Sequence, residues 1–301
     1  MSRVAAVFAT MNRRSTAETC LGRLAAQTRP PDRVVVADNG SSDGTVGALD
    51  GLDGLPFPLE VLDLNENLGN AGGIERAMER AFEAGADAVW ILDDDSWPEP
   101  GALEALVAEG PAHGVRASLV VDPATGRPSW PFQVRTDEGW SLVERTPDGG
   151  RWIRIRRAWL GALVPREVRE KVGPVLGALF LRGEDEDYPR RIENAGCPVY
   201  LATDSILHHP PGGRLHVLKL GASRVVLEAG LPPLKLYYRL RNSWWLTRRD
   251  QGRLRACLLS VVHLAILIRQ ERPVRVVLRV WKRALADAFS DRLGRLDDAQ
   301  F

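Results

Sequence analysis

Three adjacent carboxylates, Asp93-Asp94-Asp95, follow directly on the apolar Val89-Trp-Ile-Leu92. Neighbouring carboxylates repel unless positive charge lies between them, and hard oxygen ligands of this kind suit Mg²⁺ or Mn²⁺. In an extended chain alternate side chains share a side, so Asp93 and Asp95 could hold one ion while Asp94 faces elsewhere. The competing reading is a solvated acidic loop; the apolar run before the triplet and Trp97-Pro98 after it argue against that. A second acidic run, Glu184-Asp185-Glu186-Asp187, follows the apolar Leu176 to Leu181. A carboxylate there, beside a bound sugar, is a candidate general base for an attacking hydroxyl. Downstream, His208-His209 offers a neutral imidazole that could complete a metal shell begun by the aspartates.

Two clusters without titrating pairs accompany these. Asp38-Asn-Gly-Ser-Ser-Asp-Gly44 ends an apolar run, where a carboxylate can accept from the imide of a uracil or thymine or from ribose hydroxyls. The same residue types are default turn formers, so alone the cluster is weak. Asn65-Glu-Asn67-Leu-Gly69-Asn-Ala-Gly72-Gly73 opens a helical pattern, and glycines there let backbone N–H groups approach a phosphate or a sugar. It matches neither the dinucleotide spacing nor the P-loop pattern, and an ordinary glycine-rich helix entry explains it equally well.

The elements that must position these residues read as alternating strands and helices. Val4 to Ala9 and Val34 to Ala37 are short continuous apolar runs, as in strands buried on both faces of a parallel sheet. Ala17 to Gln27 has helical spacing and stops at Pro30-Pro31. Leu59 to Leu64 reads as a strand, Asn65 to Gly73 as a loop, Ile74 to Ala84 as a helix and Ala88 to Leu92 as a strand. Such βαβ alternation places polar strand ends where open α/β sheets bind ligands. Turn pairs between residues 110 and 157 suggest hairpins or an acceptor-facing insertion. Pro189 to Asn194 reads as helical, Val199 to Ala202 as one more strand, and the chain beyond Leu215 as helical.

Of 301 residues, 45% are apolar and 26% charged. At about 150 residues per domain this is one large domain or two ordinary ones. A chain this long buries roughly 75% of its unfolded surface, which excludes a disordered or disulfide-stapled protein. Three widely spaced cysteines, Cys20, Cys197 and Cys257, form neither a zinc cage nor a bridge framework, and fit a reducing compartment. The N-terminal apolar stretch is too short for a secretory signal. The longest apolar run, Ala256 to Ile268, is shorter than the roughly twenty residues a membrane span needs. A net charge of +1 hides an asymmetry: residues 1–213 carry 22 Lys and Arg against 32 Asp and Glu, and residues 214–301 carry 18 against 7. The expected division is therefore 1–213, acidic and holding the clusters above, and 214–301, basic and mainly helical.

Taken in order, Phe8-Ala-Thr-Met-Asn-Arg13, Val35 to Thr45, Asn65 to Gly73, Trp90-Ile-Leu-Asp-Asp-Asp95, Gly183-Glu-Asp-Glu-Asp-Tyr188 and Leu207-His208 resemble the family 2 glycosyltransferases of the GT-A fold. Among these the chain looks most like bacterial galactofuranosyl- and rhamnosyltransferases. The resemblance implies an α/β, Rossmann-like fold with a mainly parallel central sheet flanked by helices and a C-terminal helical extension. It implies that Thr10, Asn12 and Arg13 line the nucleotide pocket and that Asp38 holds the base. Asn67, Gly69, Gly72 and Gly73 would border the ribose, diphosphate or donor sugar. Asp93 and Asp95 match the metal ligands, with Asp94 close to the donor. Asp185 matches the catalytic base, although Gly183 and Glu184 depart from the family's commoner Trp and Asp. For the histidine ligand the resemblance favours His208, with His209 the close alternative.

The activity so implied is an inverting, Mg²⁺- or Mn²⁺-dependent transfer from a UDP- or dTDP-sugar to a glycan acceptor, lipid-linked, in cell-envelope polysaccharide synthesis. Tyr237 to Trp245 and Arg248 to Arg283 mix aromatics, aliphatics and Arg, as expected of helices on an anionic membrane surface. The expected location is cytoplasmic and peripheral on the inner face of the membrane, with a homo-oligomer open. A nucleotidyltransferase would also use aspartate-held Mg²⁺, but Met11-Asn-Arg-Arg-Ser15 lacks the glycines its triphosphate loop would want. A nucleic-acid-binding protein would leave the acidic clusters idle, so no nucleic-acid partner is expected.

Overall fold

Val4–Thr10 is apolar almost to its last residue and becomes β1, buried along its whole length in this computed structural model, which describes residues 3–146, 150–213, 215–220, 223–269 and 273–296. Arg14–Ala25 (α1) follows, then Arg33–Asp38 (β2), parallel to β1 with Thr10 opposite Asp38. Thr45–Asp50 (α2), Leu59–Asp63 (β3), Gly69–Glu83 (α3) and Ala88–Ile91 (β4) continue the alternation. Next come Trp97–Pro98 (β5), Ala102–Val107 (α4), Val115–Val121 (β6), Phe132–Thr136 (β7), Gly139–Val143 (β8), Trp152–Ile155 (β9), Ala162–Pro165 (β10), Arg166–Val172 (α5), Glu184–Asn194 (α6) and Val199–His208 (β11).

These strands form one sheet in the order β3-β2-β1-β4-β10-β6-β11-β9-β7-β8, with β5 on the end of β11. Strands β3, β2, β1, β4, β6 and β11 run one way, and β10 runs against both its neighbours. The fold is thus mixed α/β with a largely parallel centre flanked by helices. Side-chain alternation divides β1 between two cores: Val4, Ala6 and Phe8 pack with Leu21, Leu24 and Leu103 of α1 and α4, while Ala5, Val7 and Ala9 pack with Ile74, Ala77 and Met78 of α3. The turn-rich stretch contains the β7–β8 hairpin, but also the central strand β6.

Two boundaries differ from the sequence reading for physical reasons. Helix α3 begins at Gly69 rather than Ile74, so the glycine run is helical and not loop. Helix α6 begins at Glu184, five residues before Pro189, which sits inside it. Proline lacks an N–H and is disfavoured inside a helix, so a sequence that carries one there reads as a helix that begins at it.

The chain divides into two compact units. The first runs to residue 176 and resumes over 185–211; the second gathers 177–184 and the chain from 212 onward. Within the second unit, Leu215–Leu220 (β12) and Ser223–Glu228 (β13) pair antiparallel, where a helical start was expected. Val217, Val225 and Val226 give these short segments strand propensity that Arg and Leu spacing concealed. Pro233–Gln251 (α7), Arg253–Ile268 (α8) and Val274–Phe289 (α9) follow.

The stretch Tyr237 to Trp244, expected at a membrane surface, is instead the core of this unit. Tyr237, Tyr238, Leu240 and Trp244 are buried, and so is Arg241. The Arg241 guanidinium lies over the rings of Tyr237 and Tyr238, at 5.3 and 4.9 Å, and donates to the carbonyls of Leu179 (2.9 Å) and Gly294 (2.7 Å). Buried cations persist only when their donors are satisfied in this way. Replacement by Met would leave both carbonyls without this donor, so Arg241→Met is expected to destabilise the protein by about 3 kcal/mol. The urea unfolding midpoint reads this, and an unchanged midpoint would contradict the role given to Arg241.

Candidate active site

Strand β4 ends at Ile91, Leu92 donates to the Val7 carbonyl at 2.9 Å, and the chain then turns instead of continuing extended. Ser96 closes the turn: its N–H and its hydroxyl both donate to the Asp93 carbonyl, at 3.1 and 2.7 Å, and its Oγ accepts from the Asp93 N–H at 3.1 Å. The turn still brings Asp93 and Asp95 together and sends Asp94 elsewhere. Asp94 is buried, accepting from the Thr10 hydroxyl at 2.8 Å and from Arg13 Nη1 at 2.6 Å. The second arm of the Arg13 fork reaches Asp95 Oδ2 at 2.9 Å.

The histidine that the structure brings beside the aspartates is His209, the alternative to the preferred His208. Strand β5 pairs antiparallel with the end of β11, Trp97 opposite His208, and this seats the end of β11 beside the aspartate turn. Successive residues point to opposite sides. His208 Nε2 therefore meets Glu99 Oε1 at 2.9 Å, while His209 Nε2 lies 3.3 Å from Asp95 Oδ1 and 3.9 Å from Asp93 Oδ2. Its backbone is fixed by the Val121 carbonyl (3.0 Å) and the Ser129 hydroxyl (2.6 Å), and the Trp130 ring lies 5.2 Å away. One donor atom from each of Asp93, Asp95 and His209 falls within 4.8 Å of the others. Two carboxylates and an imidazole form a donor set that fits Mn²⁺ and, with water, Mg²⁺.

The charges in the cluster act on one another. Burial pushes Asp93 up to about 6; His209 pulls against this, while Asp95, Asp94 and Asp185 add to it. The hydrogen bond with His209, together with Arg13, holds Asp95 well below the usual carboxylate range. Burial opposes the charged form of His209, but the Asp95 hydrogen bond and the charge of Asp93 outweigh it and raise its pKa. Asp185, exposed in the first turn of α6, thus lies near enough for its charge to reach Asp93.

The remaining expected residues fall into two loop-building groups. Asn12, at φ 52°, accepts from the Ser42 N–H at 2.7 Å, and its own N–H donates to Ser41 Oγ at 2.7 Å. Asp38 is fully buried, with one oxygen accepting from the Ser41 N–H (2.7 Å) and the other from the Ser41 hydroxyl (2.6 Å). In this arrangement it shapes the loop and offers no free face to a base. Asn67 Oδ1 accepts from the Gly69 N–H at 2.8 Å, and Gly69 takes φ 69°. Gly72 and Gly73 are buried, and their packing accounts for them: a Cβ on Gly72 would lie 2.6 Å from Leu68 Cβ, and one on Gly73 2.8 Å from Ala9 Cβ and 2.9 Å from Asn39 Nδ2. Ser96 and Trp130 were not singled out in the sequence, and Asn39 only as a member of the Asp38 to Gly44 cluster; Ser96 lies three residues after Asp93 in a turn-forming stretch.

Residues 6–151 match glycosyl transferase family 2. The chain is 30% identical to the galactofuranosyltransferase GlfT1 of Mycolicibacterium smegmatis over 239 residues, which span 71% of this chain and 76% of the relative. It is 29% identical to an N-acetylglucosaminyl-diphospho-decaprenol L-rhamnosyltransferase of Mycobacterium tuberculosis, over 64% of this chain and 71% of that one. In fold it resembles S. aureus TarS in complex with UDP (TM-score 0.54, 14% identity, 96% of this chain and 72% of that chain). It also resembles GalNAc-T7 with UDP, GalNAc and Mn²⁺ (TM-score 0.57, 16% identity, 84% and 50%). An acidic turn at the carboxyl end of a central parallel strand, in this fold and with these relatives, defines a glycosyltransferase. The chain belongs to glycosyl transferase family 2.

If the Asp93–Asp95–His209 cluster holds a metal, protons must compete with it. Mn²⁺ should raise the melting temperature at neutral pH, and the rise should fade as pH falls through about 6, where Asp93 protonates and His209 is charged. His209→Ala should weaken Mn²⁺ binding about tenfold or more, and His208→Ala should not. A metal response undiminished a full pH unit lower, or lost only in the His208 variant, would contradict this assignment.

Proposed function

We propose that the protein transfers a sugar from a UDP- or dTDP-sugar to a hydroxyl of a lipid-linked glycan, with inversion at the anomeric carbon and with Mg²⁺ or Mn²⁺ as cofactor. The observation that carries this reading is the convergence of Asp93, Asp95 and His209 within 4.8 Å, with the charge of Asp185 reaching the same cluster. Asp93, Asp95 and His209 would hold a divalent cation, which when bound would supply positive charge beside a departing nucleoside diphosphate. No protonated side chain is then required at the leaving oxygen.

The chain's own residues do the rest. Thr10 fixes Asp94, and Asp94 fixes one arm of the Arg13 fork, so the exposed guanidinium is held at the mouth of the site, where it can pair with phosphate. Asn12, Ser41 and Ser42, tied together with Asp38 behind them, form a polar wall suited to the nucleoside. Asn67 and Gly69 at the start of α3 border the ribose, diphosphate or donor sugar, with Gly72 and Gly73 packed beneath. Asp185 takes the proton of the acceptor hydroxyl as its oxygen forms the new bond to the anomeric carbon. The bond from that carbon to the diphosphate breaks, and its electron pair leaves with the diphosphate. One in-line displacement inverts the configuration, whereas hydrolases of the two-carboxylate type need a second acid beside the leaving oxygen.

The relative named for N-acetylglucosaminyl-diphospho-decaprenol supports an acceptor carried on a polyprenyl diphosphate, and so a role in cell-envelope polysaccharide synthesis at a membrane surface. No helix among the described residues is long and apolar enough to cross a membrane, which is compatible with peripheral attachment.

A donor screen reading UDP or dTDP release in the presence of Mn²⁺ tests the reaction. Asp185→Asn should keep donor affinity and lose about 10²–10⁴ in transfer rate, the range for removal of a general base. The product should carry the anomeric configuration opposite to the donor by NMR. Unchanged turnover in Asp185→Asn would remove Asp185 as base, and retention of configuration would remove the single displacement.

A further inference from the structure

Helix α8 has one face that its own unit leaves uncovered. Leu254, Leu258, Val261 and Ile268 are 75%, 58%, 60% and 52% exposed, and Ala265 between the last two is exposed as well. Their spacing, i, i+4, i+7, i+11 and i+14, makes a single stripe along the helix, about 21 Å long at 1.5 Å per residue. The opposite face is the ordinary buried one, with Ala256, Ser260, His263, Ile266 and Leu267. A water-facing stripe on a surface helix is normally polar, and an aligned row of exposed aliphatic residues marks a docking surface.

The surrounding charge says what docks. Between Gln251 and Ala286 the sequence has eight Lys and Arg and one acidic residue, Glu271. Val274, at the start of α9, is 51% exposed, and after it Arg275, Arg279 and Lys282 form an exposed basic row, while Val277, Val280 and Ala284 face the core. Arg255 and Arg269 stand exposed at the two ends of the α8 stripe. An apolar row bordered by cations complements a surface that is hydrocarbon below and anionic above.

We infer that the exposed face of α8, with the basic row of α9, lies in the interface of an anionic lipid bilayer, the Leu254–Ile268 stripe entering the acyl boundary and the arginines meeting lipid phosphates. The aromatic stretch of α7, being buried, takes no part. This inference rests on the proposed lipid-linked acceptor only for its purpose; the surface itself is defined within one unit. Its test reads vesicle binding without any sugar transfer, so its failure and that of the proposed reaction are distinguishable.

The full-length protein is floated with vesicles of phosphatidylcholine alone and with vesicles containing phosphatidylglycerol. The parent should float with the anionic vesicles and not with the neutral ones, and high salt should release it. Leu258→Glu with Val261→Glu should lower the bound fraction at least about tenfold, and Arg275→Glu with Arg279→Glu about fivefold for each residue replaced. Leu254→Gln, at the most exposed position, serves as a milder second variant. An unchanged urea unfolding midpoint and circular dichroism spectrum in each variant show that the fold persists. Three results would overturn the inference: no flotation of the parent, equal flotation of parent and variants, or equal binding to neutral vesicles. A parent that elutes as a dimer, becomes monomeric on Leu258→Glu with Val261→Glu and ignores vesicles would assign the stripe to a second copy of the chain.

Discussion

Among the described residues, carboxylates crowd together at the end of β4. Asp93, Asp94 and Asp95 meet one guanidinium, that of Arg13, and one imidazole, that of His209, while Asp185 adds a further carboxylate nearby. Asp95 is shared, with Oδ2 toward Arg13 and Oδ1 toward His209. Asp94 is committed to Thr10 and Arg13, yet burial pushes it up to about 6, as it does Asp93, whose main opposing charge is His209. A compact divalent charge facing Asp93 and Asp95 together would favour their ionised forms against the burial and the neighbouring carboxylates that raise Asp93.

The architecture around the turn produces this crowding. The strands carrying the charges, β1 and β4, are buried throughout, so polar groups can only appear at their ends. Thr10 and Arg13 come from the end of β1, the aspartates from the end of β4 and His209 from the end of β11, and β5 is the short clasp that seats β11 beside the turn. Asn39, at the end of β2, links the loop after β2 to the start of α3 by accepting from the Leu68 N–H at 3.1 Å. Four strand ends thus converge without any of them contributing a long flexible loop, and the geometry is set by sheet register rather than by loop conformation.

Continuous apolar runs made the parallel strands legible, because a strand buried on both faces has no alternation to confuse with a helix. The residues of the metal cluster were legible as types and order, and the pairing of Asp93 with Asp95 followed. The choice of histidine was not, since it depends on which side of β11 faces the turn, a consequence of the β5 pairing that local sequence does not contain. Strand β10, wedged antiparallel between β4 and β6, was hidden for a similar reason: four apolar residues fit either direction equally well. Within Asn65 to Gly73, the close approach of α3 to Ala9 and Asn39 requires a glycine at 73, and the Leu68 side chain requires one at 72, constraints that the sequence pattern does not show.

In the basic region composition was a better guide than residue type. Aromatic and arginine-rich α7 looks like the interfacial helix, yet three of its buried polar side chains find internal partners: Tyr237 with Asp287 at 2.9 Å, Trp244 with His263 at 3.0 Å, and Arg241 with two carbonyls. Such partners let polar side chains enter a core, and no hydropathy scale registers them. Helix α8 is the reverse, more apolar by composition yet with half its circumference in water. A helix that is hydrophobic all round belongs in a core or against lipid. Since one side of α8 already packs in the core, its other side is the part of the basic region whose chemistry the fold leaves unused.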